Sequence, residues 1–365
     1  MLTVDVISYV LVSHICPLLA DMGFLVSHHS SMLPFKLVYS DRYILPIGEH
    51  VFPAEKYRHI HDRLLMSHVA EPTDFLEPKP AEDRDILRVH TSEYVYKLQN
   101  GTLSAKEELL MEIPYSYELV DAFWLAAGGS ILAAEWALRD GVGFNIGGGF
   151  HHAFPNHGEG FCMIHDVAVA IRYMQKDKKI QRAMTIDCDV HQGNGTAYIF
   201  APQRSQTGQI ASRTQVSIPS LGTLTTSEVP ADDVFTISLH QENNYPHWKP
   251  PSSIDVNLPD HCKDEDYLSW LDKALTSGLN QFQPDLLCYV AGADPYREDQ
   301  LGGLDLTIPG LKRRDEFVFR TARERKIPVM VTYAGGYARN VEDTVTIHSN
   351  TVVAAKEVYS AIKAS

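Results

Sequence analysis

Cysteine is scarce in this 365-residue chain and never paired: Cys16, Cys162, Cys188, Cys262 and Cys288 are scattered, with no Cys-x-x-Cys among them. That spacing gives neither a disulfide framework nor a thiolate zinc site, and it points to a reducing, intracellular compartment, the cytoplasm. Positive charge is also short. With 32 Lys and Arg against 46 Asp and Glu, the formal net charge is −14. This argues against direct nucleic-acid binding and leaves cationic substrates attracted over a distance. A clean apolar run long enough for a membrane is missing too. Met1 to Phe24 is rich in Val, Ile and Leu, but Asp5, His14 and Asp21 interrupt it and no basic residues precede it. It therefore fits neither a secretion signal nor a span, and no membrane partner is expected. We read residues 1–35 as a non-core N-terminal extension, in which His28 and His29 lack strand-end carboxylates and read as solvated. No internal repeat is visible.

What is present is a globular composition, 44% hydrophobic, ample for a core. From Lys36-Leu37-Val38-Tyr39-Ser40 onward, apolar runs alternate with amphipathic stretches as repeated βα units do. Strands are expected near 141–146, 182–188, 234–239, 285–291 and 328–334. Helical periodicity marks 54–68, 117–138 with an Ala-rich face, 164–176, 265–282, 309–325 and 338–362. The fold class is α/β, a single doubly wound domain over 36–365 with a mainly parallel sheet flanked by helices. Residues 201–232 are rich in Ser, Thr, Gln and Gly and follow neither period, so they read as a flexible surface loop.

The stretch Asp187-Cys188-Asp189-Val190-His191-Gln192-Gly193-Asn194-Gly195 places three metal-capable side chains at alternate positions after an apolar run. Residues two apart in a strand project to one side, so Asp187, Asp189 and His191 are expected to converge at a strand's carboxyl end, where open parallel sheets bind ligands. One imidazole with carboxylates suits Zn²⁺ without excluding iron, Fe²⁺ among the alternatives. Three further blocks share this character: Gly147-Gly148-Gly149-Phe150-His151-His152 with Gly160-Phe161-Cys162 after it; Tyr289-Val290-Ala291-Gly292-Ala293-Asp294 with Gly302-Gly303-Leu304; and Val329 to Ala334 ending in Gly335-Gly336-Tyr337.

Taken in order, these four blocks resemble the zinc-dependent histone deacetylase family and its acetylpolyamine and acetoin-utilisation relatives, on the arginase/deacetylase fold. Gly-Gly-Phe-His-His, Asp-x-His-Gln-Gly-Asn-Gly and the run from Gly302 to Phe319 look most like its class IV branch and bacterial deacetylase relatives. The resemblance covers roughly residues 36 to 355. Family members pass from the His-Gln-Gly-Asn-Gly helix to the next strand more directly, so 201–232 looks like an insertion.

By this resemblance Asp189, His191 and Asp294 are the ligands of a catalytic Zn²⁺, with Fe²⁺ possible. His151 and His152 match the tandem histidines that handle protons beside the metal; Asp187 lies behind His151 and Asn194 behind His152. Because an amide orients a ring without adding charge, the two histidines are expected to differ in basicity, with His152 the base at rest. Tyr337 matches the tyrosine whose hydroxyl donates to the developing oxyanion; read alone, it would be a core tyrosine. A structural K⁺ is implied around Asp187, Asp189, His191, Ser238 and Leu239. Gly160, Phe161, Tyr245, Leu301, Gly335 and Gly336 fall at the substrate channel, although from the residues alone the aromatics serve equally as core. His165 departs from the Asn or Tyr frequent after Gly-Phe-Cys. The implied activity is removal of acetyl or longer acyl groups from lysine side chains of a peptide or protein. The alternatives are an acetylpolyamine or other small acylated amine as substrate, or a non-catalytic acyl-lysine binding scaffold. An arginase-type two-manganese site would need additional carboxylates.

Overall fold

The computed structural model of the chain describes residues 31–201, 213–218, 220–227 and 231–360. Met1 to Phe24, His28 and His29 lie outside them, as do residues 202–212, 219 and 228–230 of the 201–232 segment. Among the described residues the strands are β1 (Lys36–Val38), β2 (Phe75–Leu76), β3 (Val142–Asn145), β4 (Ala183–Asp187), β5 (Arg213–Ile218), β6 (Gly222–Ser227), β7 (Val234–Gln241), β8 (Ile254–Leu258), β9 (Leu286–Val290) and β10 (Val329–Thr332). They form one sheet in the order β2-β1-β3-β10-β9-β4-β7-β8-β6-β5. Every neighbouring pair from β2 to β8 is parallel; β6 and β5 add an antiparallel edge. The flanking helices are α1 (Lys56–Met66), α2 (Asp83–Ile86), α3 (Ser92–Asn100), α4 (Ala105–Met111), α5 (Tyr117–Asp140), α6 (Asp166–Lys176), α7 (Asn194–Ile199), α8 (Asp264–Gln281), α9 (Ile308–Glu324) and α10 (Val341–Ser360).

Every residue of β3, β4, β7, β9 and β10 is buried, as a parallel sheet covered by helices on its faces requires. β3, β4, β9 and β10 therefore read as mainly apolar runs, while β7 alternates Thr236, Ser238 and His240 with Ile237 and Leu239 although both its faces are buried. The Ala-rich face of α5 has a steric purpose. A Cβ on Gly143 of β3 would sit 2.1 Å from the Ala133 carbonyl oxygen of α5. Helix and strand thus approach closely only because both contribute small residues.

The reading of 201–232 as a loop without regular structure is corrected in part. Within it, β5 and β6 form an antiparallel hairpin, and β6 runs on alongside β8. The indole N–H of Trp270 donates to the Leu221 carbonyl at 2.8 Å and secures the turn. The exposed edge strand β5 needs no apolar period, half-buried β6 turns only Leu224 fully inward, and β-branched Thr, at 214, 223, 225 and 226, suits a pleated surface. Periodicity had nothing to report there.

Beneath the carboxyl ends of β4 and β9 lies a fully buried ion pair, Arg314 Nε to Asp315 Oδ1 at 2.9 Å. Arg314 Nη1 also donates to the Gly292 carbonyl at 2.7 Å and the Cys188 carbonyl at 3.3 Å. Asp315 accepts further bonds from the hydroxyls of Tyr289 and Thr351. Breaking a buried pair leaves an uncompensated charge, at a cost of roughly 3–5 kcal/mol. Arg314→Met is accordingly expected to lower the urea midpoint by that amount of stability, and Arg314→Met with Asp315→Leu to regain part of it. An unchanged midpoint in the single variant would show the pair to be energetically idle.

Candidate active site

The four strands that carry the motif blocks, β3, β10, β9 and β4, are consecutive neighbours in the sheet. Their exits consequently open side by side, and four segments remote in sequence meet at one edge. After β3 the glycine run is pinned by the buried carboxylate of Asp166, which accepts from the backbone N–H groups of Gly149 at 3.0 Å and Phe150 at 2.8 Å and from the Ser130 hydroxyl. Gly149 adopts φ +105°, a region that L side chains rarely enter. The turn delivers His151 and His152 as neighbours, ring centroids 4.1 Å apart.

Their second ring nitrogens meet different partners. His151 Nδ1 lies 2.7 Å from Asp187 Oδ2, and His152 Nδ1 lies 2.7 Å from Asn194 Oδ1. Burial alone would lower both imidazoles. For His151 the carboxylates of Asp187 and Asp189 reverse this and raise the pKa to about 9. For His152, burial followed by repulsion from His151 and His191 holds it well below the ordinary value. One imidazole is thereby charged and the other neutral near pH 7, as the carboxylate-against-amide difference implied.

Asp187 does not converge with Asp189 and His191 as alternation along a strand suggested. β4 ends at Asp187, the chain turns, and the period of two stops applying. Asp187 serves His151 and accepts from the Asp189 N–H at 3.1 Å, while Asp189 and His191 join Asp294 from β9. Within this trio, a ligand atom from each residue lies within 4.8 Å of the others. His191 Nδ1 is 3.0 Å from Asp189 Oδ1 and 3.3 Å from Asp294 Oδ2. Backbone amides orient the carboxylates: Gly335 N–H donates to Asp189 Oδ2 at 2.8 Å, and Val190 N–H to Asp294 Oδ1 at 2.9 Å. Asp294 Oδ2 is buried with no hydrogen-bond partner. Burial and the Asp189 charge raise the Asp294 carboxyl, while His151 and His191 hold Asp189 low despite its burial. A cradle of buried carboxylate and imidazole atoms with an unsatisfied oxygen fits a divalent cation.

The cavity in front of the trio, about 170 Å³, is lined by His152, His191, Gly160, Phe161, Tyr245, Leu301 and Tyr337, with Glu112 and Asn244. Tyr337 is aimed by Asp299, whose Oδ2 accepts its backbone N–H at 2.6 Å while Oδ1 accepts from Leu301 and Gly302 at 2.8 and 2.9 Å. Burial, then Asp189 and Asp294, keep its hydroxyl protonated and able to donate. Gly335 and Gly336 correct the channel set, because they pack behind the site rather than lining the cavity. A Cβ on Gly335 would lie 2.0 Å from Asp294 Oδ2, and one on Gly336 2.8 Å from Thr344 Cγ2. Ser238 stands in register beside Asp187 on β7, with Leu239 next to it, so both flank the aspartate that the monovalent-cation expectation named.

His165 now has an account: its Nδ1 accepts the Ala168 N–H at 3.2 Å and caps α6, and its Nε2 meets Thr196 Oγ1 at 2.9 Å. Sequence reasoning missed Asp166, Asp299, Glu112 and Asn244. Asp299 alone carried a signal, a carboxylate between Asp294 and the Gly302-Gly303 pair.

Residues 50–352 match the family model of the histone deacetylase domain, so the chain belongs to that family of hydrolases. An uncharacterised protein of Picosynechococcus is 37% identical over 326 residues, covering 89% of this chain and 99% of its own. Histone deacetylase 2 of Arabidopsis thaliana is 30% identical, covering 81% of this chain and 73% of its own. The crystal structure of an HDAC homolog from Aquifex aeolicus shares the fold, with TM-score 0.68 at 23% identity over 89% of this chain and 88% of that one. The structure of an HDAC homolog complexed with SAHA is similar to the same degree, TM-score 0.68 at 23% identity over 90% and 88%.

Zn²⁺ added to chelator-treated protein is expected to raise its melting temperature, corresponding to about 2.7 kcal/mol at a hundred times Kd. Gly335→Ala, which drives a methyl into the Asp294 carboxylate, is expected to abolish that rise. An equal rise in the variant would show that these donors do not hold the ion.

Proposed function

We propose that the chain is a metal-dependent deacylase that hydrolyses the amide of acyl-lysine side chains. The observation that carries this reading is the pairing of a carboxylate-backed and an amide-backed imidazole beside the Asp189, His191 and Asp294 trio on one aromatic-walled cavity. Asp189, His191 and Asp294 would hold the ion, Zn²⁺ with Fe²⁺ as alternative, which when bound polarises a carbonyl and acidifies water. His152, neutral, takes the proton from the attacking water, and His151, held protonated by Asp187, returns one to the departing amine nitrogen. Asn194 fixes the His152 ring. The Tyr337 hydroxyl donates to the oxygen on which charge develops. Gly160, Phe161, Tyr245 and Leu301 enclose the methylene stem and keep water from the bond being broken.

That a fold neighbour, an HDAC homolog, forms a complex with SAHA supports a small ligand of this kind. Class IV character, and with it longer acyl chains, rests on the sequence motifs. A structural K⁺ around Asp187, Asp189, His191, Ser238 and Leu239 remains part of the proposal, and no step depends on it. The same holds for residues 1–35 as an extension, 201–232 as an insertion and a cytoplasmic setting; Cys162, Cys188, Cys262 and Cys288 are free, and among the described residues no helix is long and apolar enough to cross a membrane. A second reading, a small acylated amine such as an acetylpolyamine, is favoured by one observation: Glu112 adds negative charge to the cavity lining.

Rates on lysine peptides bearing acetyl through long fatty acyl groups, and on acetylpolyamines, decide between these. Turnover is expected on at least one acyl-lysine peptide, abolished by chelator and reduced about 10²- to 10³-fold in Tyr337→Phe. No turnover on any substrate after zinc or iron supplementation would leave the scaffold reading instead. His151→Ala and His152→Ala are expected to differ in residual rate and pH profile; matching losses with identical profiles would contradict the division of roles.

A further inference from the structure

Glu159 touches none of the trio and is not itself part of the cavity lining, yet three polar groups converge on its half-buried carboxylate. Its Oε1 accepts from Asn194 Nδ2 at 2.8 Å and from the Tyr245 hydroxyl at 2.7 Å. Its Oε2 lies 3.5 Å from His157 Nε2. Burial alone would raise the carboxyl, but the His157, Tyr245 and Asn194 donors hold it below its ordinary range, so it is an acceptor only.

We propose that Glu159 is a positioning residue that sets the tautomer of His152 through Asn194 and fixes Tyr245 in the channel wall, a role that rests on the deacylase reading above. The reason lies in the asymmetry of an amide. An Asn side chain can turn either its oxygen or its NH₂ toward a ring nitrogen, and the two choices leave the imidazole in opposite tautomers. With Nδ2 committed to Glu159, Oδ1 faces His152 Nδ1, which must then carry the proton. Nε2 keeps its lone pair and can act as base. The Gly195 N–H, donating to the same Oδ1 at 3.0 Å, works in the same sense. A carboxylate at position 194 would need no such control, because both its oxygens accept. Glu159 is thus the partner that lets an amide do the work of a carboxylate. The shared Oε1 also ties the base to the channel: Tyr245 stands edge-on to His152, ring centroids 5.0 Å apart, and Gly160 fits between them only for lack of a Cβ, which would lie 2.9 Å from both His152 Cδ2 and the Tyr245 hydroxyl.

The test uses the full-length, zinc-loaded chain with ¹⁵N-labelled histidine, the His152 signals being assigned by their loss in His152→Ala. The wild type is expected to show the Nδ1–H tautomer and Glu159→Ala a shift toward Nε2–H; an unshifted spectrum overturns the proposal. On an acetyl-lysine peptide, Glu159→Ala is expected to lower kcat about tenfold to a hundredfold. In an Asn194→Ala background, Glu159→Ala should cost little further kcat, whereas an undiminished loss there overturns the route through Asn194. Tyr245→Phe, which removes only the hydroxyl's bond to Glu159, is expected to raise KM with little change in kcat; unchanged KM overturns the channel half of the proposal. If Glu159→Ala fails to fold, Glu159→Met, close in length and without an acceptor, carries the same expectations. Since the tautomer is read without turnover, an inactive wild type would end the deacylase reading while still deciding what Glu159 does.

Discussion

The site depends on holding the exits of β4 and β9 together, and Arg314 does so from below. Its guanidinium donates to the carbonyls of Cys188 and Gly292, the residues just before Asp189 and two before Asp294. These donors belong to a planar, permanently charged group locked by Asp315, so the distance between the two exits is set by a rigid part. Two carboxylates that would repel each other are thereby kept close enough for a cation to profit from both. The backbone amides of Gly335 and Val190 complete the restraint from the other side. Nothing in this scaffold requires the side chains themselves to be neighbours in sequence.

Electrostatics then differentiates groups of the same chemical type. The two adjacent imidazoles are both buried, and desolvation pushes both toward neutrality. A carboxylate behind one and an amide behind the other separate them into a donor and an acceptor of protons. The phenol of Tyr337, confined by burial and then by the charges of Asp189 and Asp294, stays in its protonated form. Each group is tuned by what stands behind it, and the cavity itself needs few polar atoms.

Much of this was legible in the chain. Asp189, His191, Asp294, His151, His152 and Tyr337 each follow an apolar run or a glycine pair, so their places at strand exits could be inferred from local pattern. The Ala-rich period of α5 and the mainly apolar runs of β3, β4, β9 and β10 were equally plain. The convergence of Asp187 with Asp189 was misread because the pattern does not mark where β4 stops. The hairpin within 201–232 was missed because a solvated edge strand leaves no hydrophobic period. Asp166 and Glu159 were invisible for another reason: each accepts from amides and hydroxyls far from it in sequence, and a lone acidic residue looks the same whether or not such donors exist.

By itself the sequence determined the buried strands, the long helices and the chemistry that stands at the strand exits, because burial periodicity and glycine placement are local properties. Only the tertiary structure decided that β3, β10, β9 and β4 lie side by side, that Gly335 backs the carboxylates and Gly336 packs on Thr344 and Ala293 instead of walling the channel, and that Glu159 stands behind Asn194. Those outcomes follow from strand order and from hydrogen bonds between distant segments, and such pairings are fixed by packing the whole sheet rather than by any stretch of residues within it.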